Sequence, residues 1–324
     1  MRSLTYREAI REALREELQR SSDVFLLGED IADFGGSYKV TLGLLEEFGR
    51  ERVRNTPISE GAIVGAAVGA AVVGMRPVAE IMYVDFTTLA LDQIVNQAAK
   101  IRYMTGGQVK VPVVIRTQGG SGRSAAAHHS QSLEAWFAHV PGLKVVMPAT
   151  PYDAKGLLKA AIRDDNPVIF IEHKLLYSEK GEVPEEDYTV PIGSAILRRE
   201  GMDISIVTYS RMVGEVLAAA SVLAEHGVST DVIDLRTLSP LDIDLVCGSV
   251  KKTGRLLIVH EACQQAGLGA EIAAQVAERM FDYLDAPVKR LGGGNVPMPF
   301  AGELERSVIP QVEDIIEAAL ALKG

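Results

Sequence analysis

The sequence predicts a two-domain α/β protein, and three observations lead to that fold class. The chain has 324 residues, more than one hydrophobic core usually supports. Short apolar runs alternate with stretches of helical periodicity, which is typical of a mainly parallel sheet covered by helices. The alternation lapses between Ser178 and Pro191, where glycine, proline and acidic residues accumulate, and then resumes. We therefore predict a first domain at residues 1–178, a linker at 179–191 and a smaller α/β domain at 192–324.

The first domain begins with a predicted amphipathic helix at residues 5–20. Ala9, Ala13 and Leu18 share one face of it among charged residues, which favours a helix of the folded protein over a signal peptide. Ligands of parallel α/β sheets bind beyond the carboxyl ends of the strands, so we expect site residues just after the strands. Predicted strands are residues 24–27, 76–81, 111–116, 144–147 and 168–172, with further helices at 89–103 and 152–163.

The second domain repeats the alternation of strands and helices on a smaller scale. Its predicted strands and helices are residues 203–209, 213–226, 229–234, 241–251, 255–260, 269–284 and 288–291.

Composition and charge exclude several classes of protein. The formal net charge of -10, with no cluster of basic residues, makes nucleic acid an unfavourable partner. Cys247 and Cys263 are far apart and outside any Cys-x-x-Cys, so we expect no disulfide framework, no structural zinc and a reducing, cytoplasmic location. The charge-free run at 61–75 is shorter than the about 20 residues of a membrane span, so it predicts a buried helix.

Glu60 is the most informative single residue. It closes the turn Thr-Pro-Ile-Ser-Glu directly before that apolar run, and an unpaired buried carboxylate there would need a partner or a proton. A capping role at a helix start is the alternative, because acids favour the first turn of any helix. Gly61, Gly65 and Gly69 form a bare stripe behind it, against which a backbone or a flat ligand can pack closely.

A second candidate is the loop at residues 117–129, which reads TQGGSGRSAAAHH. Such a loop can close over a bound group and deliver an imidazole whose pKa lies near neutrality. A mobile surface loop with incidental histidines is an equally good interpretation. A metal site is less favoured because His128, His129 and His139 lack His-x-x-x-His spacing.

Two aromatic residues, Tyr83 and Phe86, follow a predicted strand and suit either the core or a stacking floor for a ligand. Dinucleotide-binding fingerprints fail, because Gly292-Gly293-Gly294 opens onto prolines where a helix should begin. A Gly-x-Ser-x-Gly nucleophile elbow is also absent. These patterns exclude a Rossmann oxidoreductase and an α/β-hydrolase.

Six motifs in chain order carry a resemblance to a known family. They are LGED at 27–30, TPISE at 56–60, DQI at 92–94, HSQS at 129–132, PYDAKGL at 151–157 and VIDLRT at 232–237. Together they resemble the β subunits of thiamine-diphosphate-dependent 2-oxo acid dehydrogenase E1 components, which include the pyruvate, branched-chain and acetoin enzymes. The resemblance implies a transketolase-type pyrimidine-binding domain followed by a transketolase C-terminal domain.

The resemblance also implies roles for individual residues. Glu60 is expected to bond the cofactor's aminopyrimidine and favour its imino tautomer, while Phe86 stacks on that ring. Tyr83 would border the substrate. His129 would assist proton transfer around the bound 2-oxo acid and the arriving lipoyl group, whereas His128 departs from the family pattern and its role is open. Further pocket residues are Glu29, Ile58, Ser59 and Met82.

Metals and partners follow from the same resemblance. The chain has no Gly-Asp-Gly motif for Mg²⁺ and the diphosphate, so an α subunit is expected to supply it in an α2β2 heterotetramer, with the glycine stripe packing between subunits. An E2 dihydrolipoyl acyltransferase would receive the acyl group. Backbone oxygens of five residues are expected to hold a structural potassium ion: Val113, Ala161, Ile162, Asp164 and Asn166.

The expected reaction is decarboxylation of a 2-oxo acid, with pyruvate favoured, followed by acyl transfer to lipoamide. Acetoin and branched-chain 2-oxo acids are the alternative substrates. A rival from another class is a non-catalytic module that keeps the fold and only docks a partner through its C-terminal domain.

Overall fold

A computed structural model describes residues 1–324, and the chain divides into two compact units. One unit contains residues 1–119 and 136–192, and the other contains residues 120–135 and 193–324. Each unit is an α/β structure with its own sheet. The loop at 120–135, which the sequence pattern places in the first domain, groups with the second unit instead.

The first unit holds a parallel sheet flanked by helices. Its strands pair in the order β6-β7-β5-β4-β2-β3, all in parallel register, where the strands are β2 (Val24–Gly28), β3 (Val53–Asn55), β4 (Arg76–Ile81), β5 (Val114–Gly119), β6 (Lys144–Val146) and β7 (Val168–His173). The helices are α1 (Tyr6–Arg20), α2 (Leu44–Phe48), α3 (Glu60–Val72), α4 (Ala99–Met104) and α6 (Pro151–Arg163). The chain leaves the second unit and re-enters the first within α5 (Glu134–Ala138).

Local sequence fixes where the two long helices of this unit begin. Thr5 caps α1 in a capping box with Glu8, and Thr150 caps α6, which has proline at its first position. The apolar faces of these two helices cover one side of the sheet, and residues such as Ile10 and Leu157 are fully buried in that core. The predicted site residues lie beyond the carboxyl ends of these strands.

Three predictions for this unit need correction. The predicted linker at 179–191 contains a strand, β8 (Lys180–Val183), because its edge pairs antiparallel with β1 (Arg2–Thr5). The predicted helix at 89–103 is built from a 3-10 helix at Val84–Ala90, a π-helix at Asp92–Ala98 and α4. The strand predicted at 111–116 is shifted to Val114–Gly119, because its pairing with β4 and β7 starts only at Val114.

The second unit is a smaller sheet covered by helices on both faces. Five strands pair in the order β14-β13-β10-β11-β9, and only β9 is antiparallel. The strands are β9 (Ile196–Arg199), β10 (Ile204–Thr208), β11 (Thr230–Asp234), β13 (Leu256–Cys263) and β14 (Lys289–Gly293), with a short β12 at Thr237–Ser239. The helices are α7 (Met212–Glu225), α8 (Ile243–Thr253), α9 (Leu268–Met280), α10 (Gly302–Val308) and α11 (Val312–Lys323).

The core of the second unit lies between its sheet and the pair α7 and α11. Ile206, Val216 and Ile315 are fully buried there. None of the helices in either unit has the length and apolar character needed to cross a membrane.

Candidate active site

Two neighbouring strands of the first unit place the predicted acidic residues close together. Glu29 directly follows β2, and β2 pairs with both β3 and β4. Glu60 is the first residue of α3, with Ser59 as the N-cap residue, whose side chain makes no capping hydrogen bond. The Glu60 carboxylate therefore lies at the positive end of the helix dipole and remains half-buried. Ile58, just before it, is 80% exposed, which leaves an apolar side chain open beside the acid.

The Glu60 carboxylate acts electrostatically on Glu29. Burial raises the pKa of Glu29 above its ordinary value of 4.5, and the nearby carboxylates of Glu60 and Asp30 raise it further. Two carboxylates that share a site make it harder for both to be ionised. Glu29 therefore retains a proton to a higher pH than an isolated glutamate does.

Tyr83 has the most unusual backbone in this part of the structure. Its φ is 66°, a left-handed value that a bulky L residue rarely adopts. Such strain costs about 1–3 kcal/mol and gathers at functional sites. The conformation follows from the abrupt change at the end of β4, where the 3-10 helix starts at Val84. It turns the Tyr83 ring edge-on to both Tyr38 and Phe86, each at 6.3 Å between ring centroids.

The aromatic group around Tyr83 has polar neighbours on its far side. Tyr38 stacks on Tyr177 at 4.6 Å between centroids, and Tyr177 donates a 2.6 Å hydrogen bond to Glu172. The Lys174 ammonium lies 5.7 Å from the Tyr83 ring centroid. Met82, at the end of β4, accepts a contact from the Ser37 hydroxyl at 3.2 Å through its sulfur. Met82 and Phe86 are half-buried, so both still offer surface to a ligand.

A buried ion network supports this aromatic group, and the sequence analysis missed it. Arg116 on β5 is 1% exposed and pairs with Glu80 on β4 and Glu172 on β7. Burial alone would lower the pKa of Arg116, but the Glu172 and Glu80 carboxylates outweigh burial and raise it. The available signal was a charged residue within each of three buried strands. Such residues are rarely buried without partners.

The loop that carries the two histidines belongs to the second unit. Its base is closed where the Gly120 N–H donates to the Gln131 carbonyl at 3.0 Å. His129 is half-buried and its N–H donates to the Ala126 carbonyl at 3.4 Å, whereas His128 is exposed. Adjacent residues of this loop therefore have different surroundings. The position of His129 towards Glu60 stays a prediction.

A cavity of about 520 Å³ adjoins this loop within the second unit. His128, rather than His129, lines it, together with Ser130, Glu261, Cys263 and Asn295. Apolar side chains of the wall include those of Leu133, the segment at 296–298 and Val308. The Ser130 hydroxyl is buried and has no hydrogen-bond partner in the chain. The cavity can thus accept a group that is mainly apolar and carries a few polar atoms.

Glu134 and His260 lie near one another behind the loop, and burial affects them in opposite directions. Burial raises the pKa of Glu134 to about 7, and the Glu261 carboxylate adds to this, although the Tyr209 hydroxyl donates a 2.9 Å hydrogen bond to Glu134. Burial lowers the pKa of His260 to about 4. The His260 ring stacks on Tyr209 at 6.2 Å between centroids. Both groups are therefore predominantly neutral over a wide range below neutral pH.

The residues predicted to hold potassium come together at one end of the first sheet. Arg76 donates to the carbonyls of both Ile162 and Asp164 at 3.0 Å, so two of the five oxygens already face a cation. The Val113 carbonyl accepts the Val168 N–H at 2.9 Å, and the Ala161 carbonyl accepts the Asp164 N–H at 3.2 Å. Asn166 donates to the Asp164 carboxylate through its side chain. The Arg76 guanidinium thus uses two of the oxygens that the predicted potassium site would need, and that site stays a prediction.

Side-chain metal sites are absent. No group of three or more His, Cys, Asp and Glu side chains is arranged to hold a metal ion.

Comparisons with known proteins agree with this architecture. The family model for the transketolase pyrimidine-binding domain matches residues 2–180, and the model for the transketolase C-terminal domain matches residues 193–315. A solved structure described as a split gene transketolase, an inactive beta4 tetramer, aligns with a TM-score of 0.81 over 99% of this chain and 98% of that chain. Its sequence identity is 24%, so it shows the fold alone. These matches define a two-domain protein of the transketolase type.

Sequence relatives narrow that class. The pyruvate dehydrogenase E1 component subunit beta-2 of Oryza sativa subsp. japonica, a mitochondrial protein, is 49% identical over 98% of this chain and 86% of its own length. The corresponding beta subunit of Rhizobium meliloti (strain 1021) is 48% identical over 99% of this chain and 70% of its own. That of Rickettsia felis is 50% identical over 97% of each. The chain belongs to the family of pyruvate dehydrogenase E1 component β subunits.

Proposed function

We propose that this chain is the β subunit of a 2-oxo acid dehydrogenase E1 component. It decarboxylates a 2-oxo acid on thiamine diphosphate, with pyruvate favoured, and passes the acyl group to lipoamide of an E2 subunit. The observation that best supports this function is the half-buried Glu60 at the start of α3, with the raised pKa of Glu29 beside it. An acid in this setting suits proton exchange with a nitrogen heterocycle.

The residues present fit the aminopyrimidine of thiamine diphosphate. Phe86 and Met82 are half-buried and can form an apolar floor for a flat ring, and Ile58 is open to cover it. Glu60 would accept and return a proton at the ring nitrogen. Glu29 would act on this proton transfer as a neighbouring acid. When bound, thiamine diphosphate supplies the electron sink for decarboxylation. The strained Tyr83 would set the edge of the substrate pocket.

His129 would act at the acyl-transfer end of the reaction. It follows a loop rich in glycine, serine and alanine, and a neutral imidazole can accept or donate a proton near physiological pH. Its task would be to hold or move a proton beside the bound 2-oxo acid and the lipoyl sulfur. His128, which is exposed and lines the cavity, would have a smaller effect on that step.

The subunit composition follows from what the chain lacks and what it exposes. It has no Gly-Asp-Gly motif, so an α subunit would supply the Mg²⁺ and diphosphate site in an α2β2 heterotetramer. Exposed apolar side chains of the first unit support such a partner: Ile58, Val73, Leu89, Tyr103 and Met104. Potassium at the carbonyl oxygens near Arg76 and a cytoplasmic location complete the proposal.

Reconstitution with the α subunit tests the proposal. The chain should be purified alone and co-purified with its α subunit, then assayed with pyruvate, branched-chain 2-oxo acids and acetoin. We expect no Mg²⁺-dependent cofactor binding and no decarboxylation by the chain alone, and both activities in the complex, highest with pyruvate. Cofactor binding by the complex without turnover of any of these substrates would favour the docking-module alternative and overturn the catalytic proposal.

A further inference from the structure

The loop at residues 120–131 adopts a conformation that its own sequence does not favour. Gly120 and Gly122 have φ of 85° and 91°, which glycine tolerates. Ser124 and Ala126, however, have φ of 50° and 58°, values that L side chains rarely adopt. A backbone of this kind persists only where its surroundings hold it in place. Two carboxylates of the second unit hold this backbone in place.

Glu305 on α10 is the first such group. Its carboxylate is almost fully buried and accepts the Gly122 N–H at 2.6 Å through one oxygen and the Ser124 N–H at 3.0 Å through the other. A buried carboxylate is costly unless hydrogen bonds replace its hydration, and bonds from N–H to a charged oxygen are among the stronger ones. The partners of the Glu305 carboxylate are thus the backbone of the loop.

Glu261 on β13 provides a second anchor one residue earlier in the loop. Its carboxylate is buried and accepts the Ser121 N–H at 2.6 Å, while the Arg211 guanidinium lies 3.7 Å from its other oxygen. Two carboxylates from different elements of the second unit therefore bind three backbone N–H groups within four residues. The Gly120 to Gln131 hydrogen bond closes the loop on its other side. The segment between these attachments is the one that presents the histidines.

We propose that Glu305 and Glu261 are positioning residues that hold the loop at 120–131 and so fix the place of His129. They act through the backbone N–H groups of Ser121, Gly122 and Ser124. For the reaction, the inference rests on the proposed function: the anchored loop sets the rate of acyl transfer to the lipoyl group and has little influence on decarboxylation.

Hydrogen exchange of the full chain tests the anchoring without reference to activity. In Glu305→Ala, we expect the peptide covering residues 120–131 to exchange about tenfold faster than in the unchanged protein. Glu305→Gln keeps one acceptor oxygen, so its exchange rate in this peptide should lie between those of Glu305→Ala and the unchanged protein. Glu303→Ala is the matched control, because Glu303 lies exposed on the same helix and loses the same charge. Unchanged exchange in Glu305→Ala, or equal acceleration in the Glu303 control, would overturn the proposal.

Activity of the complex with the α subunit gives the second readout. For Glu305→Gln, which preserves the shape of the side chain, we expect acyl transfer to a lipoyl domain to fall about tenfold, while decarboxylation with an artificial electron acceptor stays within about twofold. Equal losses in both rates would count against positioning. If the unchanged complex does not acylate the lipoyl domain, the proposed function has failed, and the exchange experiment alone decides whether the carboxylates hold the loop.

Discussion

Glu60 owes its chemical character to its neighbours rather than to deep burial. It is half-buried at the start of α3, at the positive end of the helix dipole. Burial raises the pKa of the nearby Glu29, and the Glu60 charge raises it further. From the sequence alone, helix capping and proton chemistry are alternative roles for Glu60. An acid in the first helical turn serves both, so only function separates them.

The substitution Glu60→Gln should separate these roles. Glutamine keeps the shape but cannot exchange a proton as a carboxylate does, so turnover of the complex should fall about 10² to 10⁴-fold with little change in melting temperature. Exchange of the cofactor C2 proton, followed by NMR, is the direct measurement. Glu46→Gln is the control, because Glu46 is an exposed acid in the first turn of α2. Wild-type C2 exchange in Glu60→Gln would return the residue to a capping role.

Glu134 and His260 give the second unit two opposing dependences of stability on pH. The pKa of Glu134 is raised to about 7. Its contribution to the free energy of unfolding is therefore complete below about pH 4.5 and is lost as the pH rises towards 7. The pKa of His260 is lowered to about 4, so its contribution is present above about pH 6.5 and is lost as the pH falls towards 4. The two dependences largely cancel between pH 4.5 and 6.5.

Replacing Glu134 should reveal the pH dependence of stability that His260 causes, because Glu134 no longer offsets it. Between pH 4.5 and 7, the unchanged protein loses the contribution of Glu134, whereas Glu134→Gln has none to lose. At about 1.4 kcal/mol per pKa unit, the free energy of unfolding of the unchanged protein should therefore fall by about 3 kcal/mol relative to that of Glu134→Gln. Urea unfolding at a series of pH values measures this. Tyr209 and Glu261 face Glu134 and remain in place. Glu303→Gln controls for the loss of an exposed carboxylate, and parallel profiles for Glu134→Gln and the unchanged protein would refute the assignment.

At the scale of elements, α3 has two different faces of small residues. A Cβ added at Gly61 would lie 3.4 Å from the Leu89 carbonyl, and one at Gly65 would lie 3.3 Å from the Gln93 side chain. These two glycines therefore pack within the chain, and the expectation that the whole stripe packs between subunits is wrong for them. Gly69 is open, and it lies with the exposed Ala62 and Ala66 on the face that remains for a partner.

The histidine loop allows a comparison of two adjacent residues on one element. His129 is half-buried, and His128 is exposed on the cavity wall. In the complex, we expect His129→Ala to retain part of its decarboxylation with an artificial acceptor and to lose about 10² to 10⁴-fold in acylation of a lipoyl domain. His128→Ala should lose much less. Equal losses, or a normal lipoyl rate in His129→Ala, would show that His129 does not have this role.

Regular elements were predictable from the sequence, and irregular ones were not. The strand at 76–81 was predicted with the bounds of β4, because a buried parallel strand is a short apolar run with clear ends. The segment at 84–104 has one helix-like apolar pattern but forms a 3-10 helix, a π-helix and an α-helix in turn. Local propensity does not distinguish these three helix types. Glu60 stands out in the sequence because it directly precedes a charge-free apolar run, and its role stays a prediction. Glu305 does not stand out, because an acid on a charged surface helix looks ordinary until the loop it holds is seen.

For the molecule as a whole, the surface of the first unit indicates a partner. Val73 is 79% exposed, Leu89 is 65% exposed and Tyr103 is 88% exposed, although a protein that acts alone rarely leaves large apolar side chains open in one region. Val73 is the C-cap residue of α3, Leu89 lies on the 3-10 helix that packs against α3, and Tyr103 lies on α4. The resemblance to E1 β subunits accounts for this exposure if the α subunit or a second β subunit covers the region.

A single charge on the exposed face of α3 should therefore prevent assembly without unfolding the chain. We expect Ala66→Glu to leave the melting temperature of the isolated chain within a few degrees, because Ala66 is exposed and mid-helix glutamate is well tolerated. In the co-purified complex, the same charge would be buried against a partner, so sedimentation should show dissociated subunits and decarboxylation should be lost. Ala218→Glu is the matched control, because Ala218 is an exposed alanine on α7. A stable, active heterotetramer of Ala66→Glu would show that subunits meet elsewhere.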